Sequence, residues 1–172
     1  MFNKIGSDEG LDMDIELLSK KYAVRRLDRN DVDIIYAMSC QNEIFYQYHP
    51  PFVTKQSIIK DMEALPENKN YDDKYYIGFF ENNLLVANMD LILGYPTEET
   101  AFIGLLMVDI HYQNKGIGSG IIKDVCACLK QLGYKKVRIG VDKENPQSNS
   151  FWSKNGFRII SENAYNIMES VI

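Results

Sequence analysis

A glycine-bearing turn set between an apolar run and an amphipathic run constrains this chain more than any other feature. The turn is Gln113-Asn114-Lys115-Gly116-Ile117-Gly118, with Ser119-Gly120 behind it. Before it, Ala101 to Val108 is apolar throughout and reads as a buried strand. After it, Ile117, Ile121, Ile122, Val125, Leu129 and Leu132 recur at helical spacing. A strand that feeds a helix through glycines builds an anion site. The first N–H groups of a helix have no acceptor within it, and the helix dipole adds partial positive charge there. Glycine, lacking Cβ, lets backbone come close to a phosphate. The expectation is a phosphorylated ligand at residues 113–118.

Spacing narrows the ligand. The Gly-x4-Gly-Lys-Ser/Thr loop does not occur, and Gly116-x-Gly118-x-Gly120 lacks the third spacing of a dinucleotide fingerprint. The turn does fit Gln/Arg-x-x-Gly-x-Gly/Ala. Downstream, Asn145-Pro146-Gln147-Ser148-Asn149-Ser150-Phe151-Trp152-Ser153-Lys154-Asn155-Gly156-Phe157 fits Asn-x-x-Ala/Ser-x-x-Phe/Leu-Tyr/Trp-x-x-x-Gly-Phe. Between the two lies Lys136 to Val141, whose alternating Val137, Ile139 and Val141 read as a strand. With both motifs in this order, the chain resembles the GNAT superfamily of acetyl-CoA-dependent N-acetyltransferases. The resemblance is specific from about residue 100 to residue 157. Ile110 stands where that family commonly has proline, and Asn114 where it commonly has glycine; asparagine tolerates positive φ better than most residues.

The resemblance implies an α/β fold: a twisted, mostly antiparallel mixed sheet with splayed middle strands, flanked by helices. It implies acetyl-CoA as cofactor, with backbone of Leu106, Met107 and Val108 pairing with the pantetheine arm as an added strand would. Amides of Gln113, Asn114, Lys115, Gly116, Ile117, Gly118 and Ser119 would hold the pyrophosphate. Asn145, Ser148 and Trp152 would complete the cofactor site. Two of these residues also have bland readings. Lys115 is equally a solvated surface lysine, and Asn145 followed by Pro146 is a good helix N-cap without any ligand.

Catalysis is where the motif departs from its family. Amine acetylation needs a base for the ammonium proton and an acid for the departing thiolate. The family's tyrosine position is Trp152, whose indole N–H is no usable acid. Its strand-four glutamate position is Phe102. Substitutes come from residue chemistry. The stretch Phe45-Tyr46-Gln47-Tyr48-His49-Pro50-Pro51-Phe52 packs aromatic and imidazole rings densely into an expected loop. It reads either as a hydrophobic plug or as an acceptor cage, with Phe45, Tyr46, Tyr48 and His49 as substrate-binding residues. His49 is the base candidate, since imidazole titrates near neutrality. Tyr165, in the last loop, is the acid candidate; His111 reads as a surface residue.

The functional expectation is transfer of an acetyl group to the primary amine of a small molecule or peptide, by direct attack in a ternary complex. A noncatalytic acyl-CoA-binding or sensing module, and a nucleotide-binding protein of another kind, remain alternatives. Bulk properties agree with the first. The chain's 172 residues suffice for one domain, expected over residues 21–172 after a lead-in at 1–20. A net charge of −5 disfavours nucleic acid as a partner and suits cationic substrates. No apolar run approaches the ~20 residues of a membrane span. Without an apolar signal core near the start, a cytoplasmic location is expected. No metal site is expected: Cys126 and Cys128 lie about 200° apart around their helix. A homodimer stays open.

Elements expected along the chain are strands at 22–27, 75–80, 84–93, 100–108, 136–141, 157–160 and 166–172. Helices are expected from Asp28 to Ser39, from Thr54 until Pro66 stops it, at 117–132, and after Asn145.

Overall fold

The computed structural model describes residues 13–172. The chain runs β1 (Ala23–Arg26), α1 (Val32–Ser39), α2 (Glu43–Tyr48), α3 (Lys55–Glu63), β2 (Lys74–Glu81), β3 (Leu84–Leu93), β4 (Thr100–Val108), α4 (Ile117–Gln131), β5 (Lys136–Val141), α5 (Pro146–Lys154), β6 (Arg158–Glu162) and β7 (Asn166–Val171). The seven strands form one sheet in the order β1-β2-β3-β4-β5-β7-β6. Every neighbouring pair is antiparallel except β4 and β5.

That one parallel pair sets the architecture of the site. The β4–β5 ladder covers only Thr100↔Lys136 to Ile103↔Ile139. Beyond it, Asp90 pairs with Leu105 while Leu91 pairs with Ile103, so Gly104 is an extra residue on β4. Such a bulge bends its strand and raises the local twist. The C-terminal half of β4 therefore leaves β5 and keeps only its β3 partner. The expected splay of the middle strands is present.

Helices cover both faces, which is why β2 is buried along most of its length instead of alternating. On one face α4 presents Ile121, Ile122, Val125 and Leu129 to Ile77, Phe79, Met89, Ile103 and Val137. Each such side chain contributes about 1.5–3 kcal/mol by leaving water. On the other face α1 and α3 set Val32, Ile35 and Ile58 against Leu27 and Tyr76.

Local chemistry fixes most boundaries as expected. Thr54 caps α3 and shares a capping box with Ser57. Asn82 and Asn83 both adopt left-handed φ (48° and 66°), the backbone that a two-residue hairpin between β2 and β3 requires. Asp28 caps a 3-10 turn that leads into α1, so the helix proper begins at Val32.

Three expectations are corrected. The stretch 45–52 is not all loop, because residues 43–48 form α2. Its aromatic residues are mediocre helix formers, and packing of Tyr46 against the α1–α3 cluster overrides that weak preference. The second helix ends at Glu63, since Ala64 is extended (ψ 131°); Leu65 therefore lies beyond it. Residues 1–12 of the expected lead-in lie outside the described residues. A 3-10 turn occupies Ile15–Leu18, with Asp14 as its cap. Leu18 is completely buried there and Met13 nearly so, and Lys20 N–H donates to Asp124 on α4 at 2.9 Å. Met13 and Leu18, within the expected lead-in, thus belong to the packed core.

Candidate active site

The splay opens a cleft of about 440 Å³ between the end of β4, the start of α4 and one side of α5. All the expected cofactor residues except Lys115 and Asn145 line it: Leu106, Met107, Val108, Gln113, Asn114, Gly116, Ile117, Gly118, Ser119, Ser148 and Trp152. Gly116 caps α4 with φ +76°, and Asn114 takes φ +58°, so the turn uses the two residue types that reach left-handed backbone most readily. Gly120 N–H bonds Gly116 O at 2.9 Å; the N–H groups of residues 117–119 precede that first helical bond and are free to face an anion. The β4 edge that leaves β5 offers amide groups to an extended ligand. On both counts the residues fit a pantetheine diphosphate.

Several of these residues do work the sequence did not reveal. The Gln113 side-chain amide donates to Val108 O at 2.9 Å and to Asn42 Oδ1 at 2.6 Å, tying the turn to the strand end and to the start of α2. Val108 O is thereby engaged within the protein. A Cβ on Gly118 would sit 3.0 Å from the Phe151 ring and 3.4 Å from Val108, so this glycine lets α5 approach α4. Nothing lies within 4 Å of a Cβ on Gly116. Lys115 Nζ donates to His111 O at 2.8 Å on the exposed side, away from the cleft. Asn145 is 1% exposed and its Oδ1 accepts from Ser148 N–H at 3.0 Å, so its side chain caps α5 and lines no cavity.

A second cavity of about 300 Å³ opens beside the first, and the two share Phe45, Leu106, Ser148 and Trp152. Trp152, 4% exposed, is held edge-to-face between Phe151 and Phe157. The two catalytic candidates, separated by more than 100 positions, both line this cavity, with ring centroids 6.2 Å apart. His49 ends α2, and its Nδ1 lies 3.1 Å from Asp142 Oδ2, just past the end of β5. A neutral His49 that donates from Nδ1 to Asp142 keeps a lone pair on Nε2 for a proton. Tyr165 is exposed and lines the cavity beside it. Phe45 and Tyr46 also line the cavity, whereas Tyr48 lines neither space. Burial pushes the Tyr46 hydroxyl up to about 12, so it stays protonated near neutrality.

Phe102 does not face this space at all; it packs edge-to-face on Tyr95, 5.5 Å away. The carboxylates of the cavity lie elsewhere, on Asp61, Asp90 and Asp142. Sequence reasoning passed over all three. For Asp90 a signal existed: Asn88 and Asp90 are the polar pair, two apart, in the otherwise apolar strand Leu84–Leu93.

Residues 41–157 match the family model described as the acetyltransferase (GNAT) family. The chain belongs to the GNAT acetyltransferase family. It is accordingly an acyltransferase, with acetyl-CoA as its donor. Solved GNAT structures share the fold at low identity. An acetyltransferase from Thermus thermophilus is similar at 20% identity and TM-score 0.74, covering 88% of this chain and 96% of its own. The PaiA N-acetyltransferase from Thermoplasma acidophilum, in complex with coenzyme A, is similar at 19% identity and TM-score 0.67, covering 87% and 98%. The ribosomal-protein-S18-alanine N-acetyltransferase from Escherichia coli is similar at 15% identity and TM-score 0.61, covering 87% and 92%. No curated protein matches the sequence. Among the described residues no helix is long and apolar enough to cross a membrane.

Proposed function

We propose that this GNAT enzyme moves the acetyl group of acetyl-CoA onto a primary amine bound in the 300 Å³ cavity, by direct attack within a ternary complex. The observation that carries the reading is the junction of the two cavities at Leu106, Ser148 and Trp152, with His49–Asp142 and Tyr165 on the acceptor side. Backbone of Leu106 and Met107 and the turn at residues 113–119 hold the donor. The noncatalytic alternative is not favoured, since a donor-only module has no use for a second cavity carrying a histidine–carboxylate pair.

Proton bookkeeping assigns roles. The acceptor ammonium must lose a proton before its lone pair attacks the thioester carbon. His49 takes that proton at Nε2, and Asp142 orients the ring and stabilises the imidazolium that forms. As the C–N bond forms and the C–S bond breaks, the nitrogen gives up its second proton and the sulfur takes one from the Tyr165 hydroxyl or from water, the proton leaving nitrogen replacing the one donated. Trp152 walls the junction and supplies no proton. Water exclusion at the buried Trp152 end and fixed approach of the two substrates lower the barrier further. A cytoplasmic location goes with this reading, since the donor is acetyl-CoA and the three cysteines are free thiols.

The test is the pH dependence of kcat/KM for two amines of different basicity, in the parent, His49→Gln and Asp142→Asn. A histidine base predicts a rise over roughly pH 6–8 for both amines, and a loss of about 10²–10⁴-fold in His49→Gln. An unaltered profile and rate in His49→Gln, with the rise tracking the basicity of each amine, would remove His49 from the mechanism.

A further inference from the structure

One side chain outside both cavities grips the two chain segments that carry the acid–base candidates. Asn149 lies on α5, half-buried, and lines neither space. Its amide nitrogen is within hydrogen-bond reach of three carbonyls in the turn after β5: Asp142 O at 2.9 Å, Asn145 O at 2.8 Å and Lys143 O at 3.2 Å. Two N–H groups serve three acceptors, so one of them is shared. The other end of the same amide, Oδ1, accepts from Asn166 Nδ2 at 2.9 Å. Asn166 is 7% exposed and opens β7 directly after Tyr165. The sheet register sets it opposite Val141, the residue before Asp142.

The turn at Asp142 needs such a grip, because no ladder holds the chain there. The β4 pairing of β5 stops at Ile139, where the strands splay, and the β7 pairing stops at Val141. Asp142 O instead accepts from Asn149 Nδ2 and from Asn145 N–H, the latter at 3.1 Å. Those bonds fix the backbone from which the Asp142 carboxylate reaches His49 Nδ1. On the other side, Asn163 Oδ1 accepts from Tyr165 N–H at 3.0 Å, and Asn166 ties the same loop back to Asn149. No other side chain this short offers two donors and an acceptor. Asparagine is a poor helix former, so helix propensity does not account for it in α5.

We propose that Asn149 is a positioning residue for acetyl transfer: by clamping the Asp142 turn to the start of β7, it fixes the His49 ring and the place of Tyr165 beside it. It acts through Asp142 and Asn166 and touches no substrate. The inference rests on the roles assigned to His49 and Tyr165 above, but the clamp can be read without turnover.

The chain has two histidines, His49 and His111, so imidazole ¹⁵N spectra can follow each separately. A neutral ring that donates from Nδ1 to Asp142 marks the oriented state. At about pH 9 the parent is expected to hold the His49 proton on Nδ1. Asn149→Ala should move it toward Nε2 and leave His111 unchanged. Asn149→Ser is the milder variant: a helical hydroxyl bonds the carbonyl four residues back, here Asn145, and still releases Asp142 O. It should shift the His49 tautomer in the same direction. Asn166→Ala cuts only the branch toward Tyr165 and should leave that tautomer as in the parent. With acetyl-CoA and n-butylamine as probe acceptor, kcat should fall about 10–100-fold in Asn149→Ala, with KM for acetyl-CoA within about twofold. An unchanged His49 tautomer in folded Asn149→Ala and Asn149→Ser overturns the proposal, whatever the rate. So does a parent protein in which His49 keeps its proton on Nε2. If the tautomer moves and kcat does not, the clamp stands and His49 leaves the mechanism.

Discussion

Replacing Lys74 with methionine tests whether the wall of the 300 Å³ cavity is built around a buried charge pair. Lys74 is 3% exposed at its side chain and Asp90 13%, and their charged atoms approach to 2.8 Å. Methionine keeps the length and apolar stem of lysine while removing the ammonium, so Asp90 is left buried beside Asp61 with no counter-charge. Breaking a buried pair in this way costs roughly 3–5 kcal/mol, against about 0–1 kcal/mol for a surface pair. In a domain of this size each kcal/mol moves Tm by about 2–4 °C, so Tm should fall by roughly 6–20 °C at neutral pH. The pH dependence has a definite sign. Burial already holds the Asp90 carboxyl above the ordinary carboxylate range despite Lys74, and loss of Lys74 raises it further. An acid whose folded pKa is raised destabilises the fold above that pKa and ceases to do so below the unfolded value near 3.9. The deficit of Lys74→Met should therefore shrink as pH falls from neutral toward about 4. Adding Asp90→Asn should restore much of the lost stability, because the uncompensated charge is then gone. Thermal and urea unfolding of the single and double variants across pH is the assay. A Lys74→Met protein within about 1 kcal/mol of the parent, or a double variant no better than the single, would refute the buried-pair argument.

Other expectations are simpler to state. Gly118→Val should destabilise the free protein by about 1–3 kcal/mol through the Phe151 contact, measured by urea unfolding without coenzyme A; an unchanged midpoint would mean α5 yields freely. Gly116→Val should cost about 1–2 kcal/mol through its left-handed backbone, having open space around it, and should also weaken coenzyme A binding by calorimetry. Asn145→Ala should lose about 0.5–2 kcal/mol of stability as a missing cap, and a large loss of coenzyme A affinity with intact stability would instead restore its direct role. Cys126, whose thiol burial pushes up to about 11, should resist iodoacetamide in the folded protein and react once unfolded; equal rates in both states would contradict its burial.

Much of the fold was legible because its signals are local. The β3, β4 and β5 runs and the α4 periodicity each reflect one face or one buried layer, and the caps at Thr54, Asn145 and Gly116 are short-range chemistry. The turn at residues 113–118 was legible for the same reason: strand, left-handed glycine and helix start are contiguous. Misreadings arose where a distant partner decides. Residues 43–48 become helical because they have the α1–α3 surface to pack on, and Met13 and Leu18 join the core because α4 and the sheet receive them.

The sequence by itself determined the family, since both of its motifs rest on contiguous spacing. It could also name His49 and Tyr165 as acid–base candidates, though not bring them together. Only the tertiary structure decided that they share one cavity, that Asp142 pairs with His49, and that Gly118 faces Phe151. Only it showed that a bulge at Gly104 admits a carboxylate from the neighbouring strand. The physical reason is that a bulge and a strand register relate residues far apart in the chain, and no local pattern encodes the side chain waiting on the other strand.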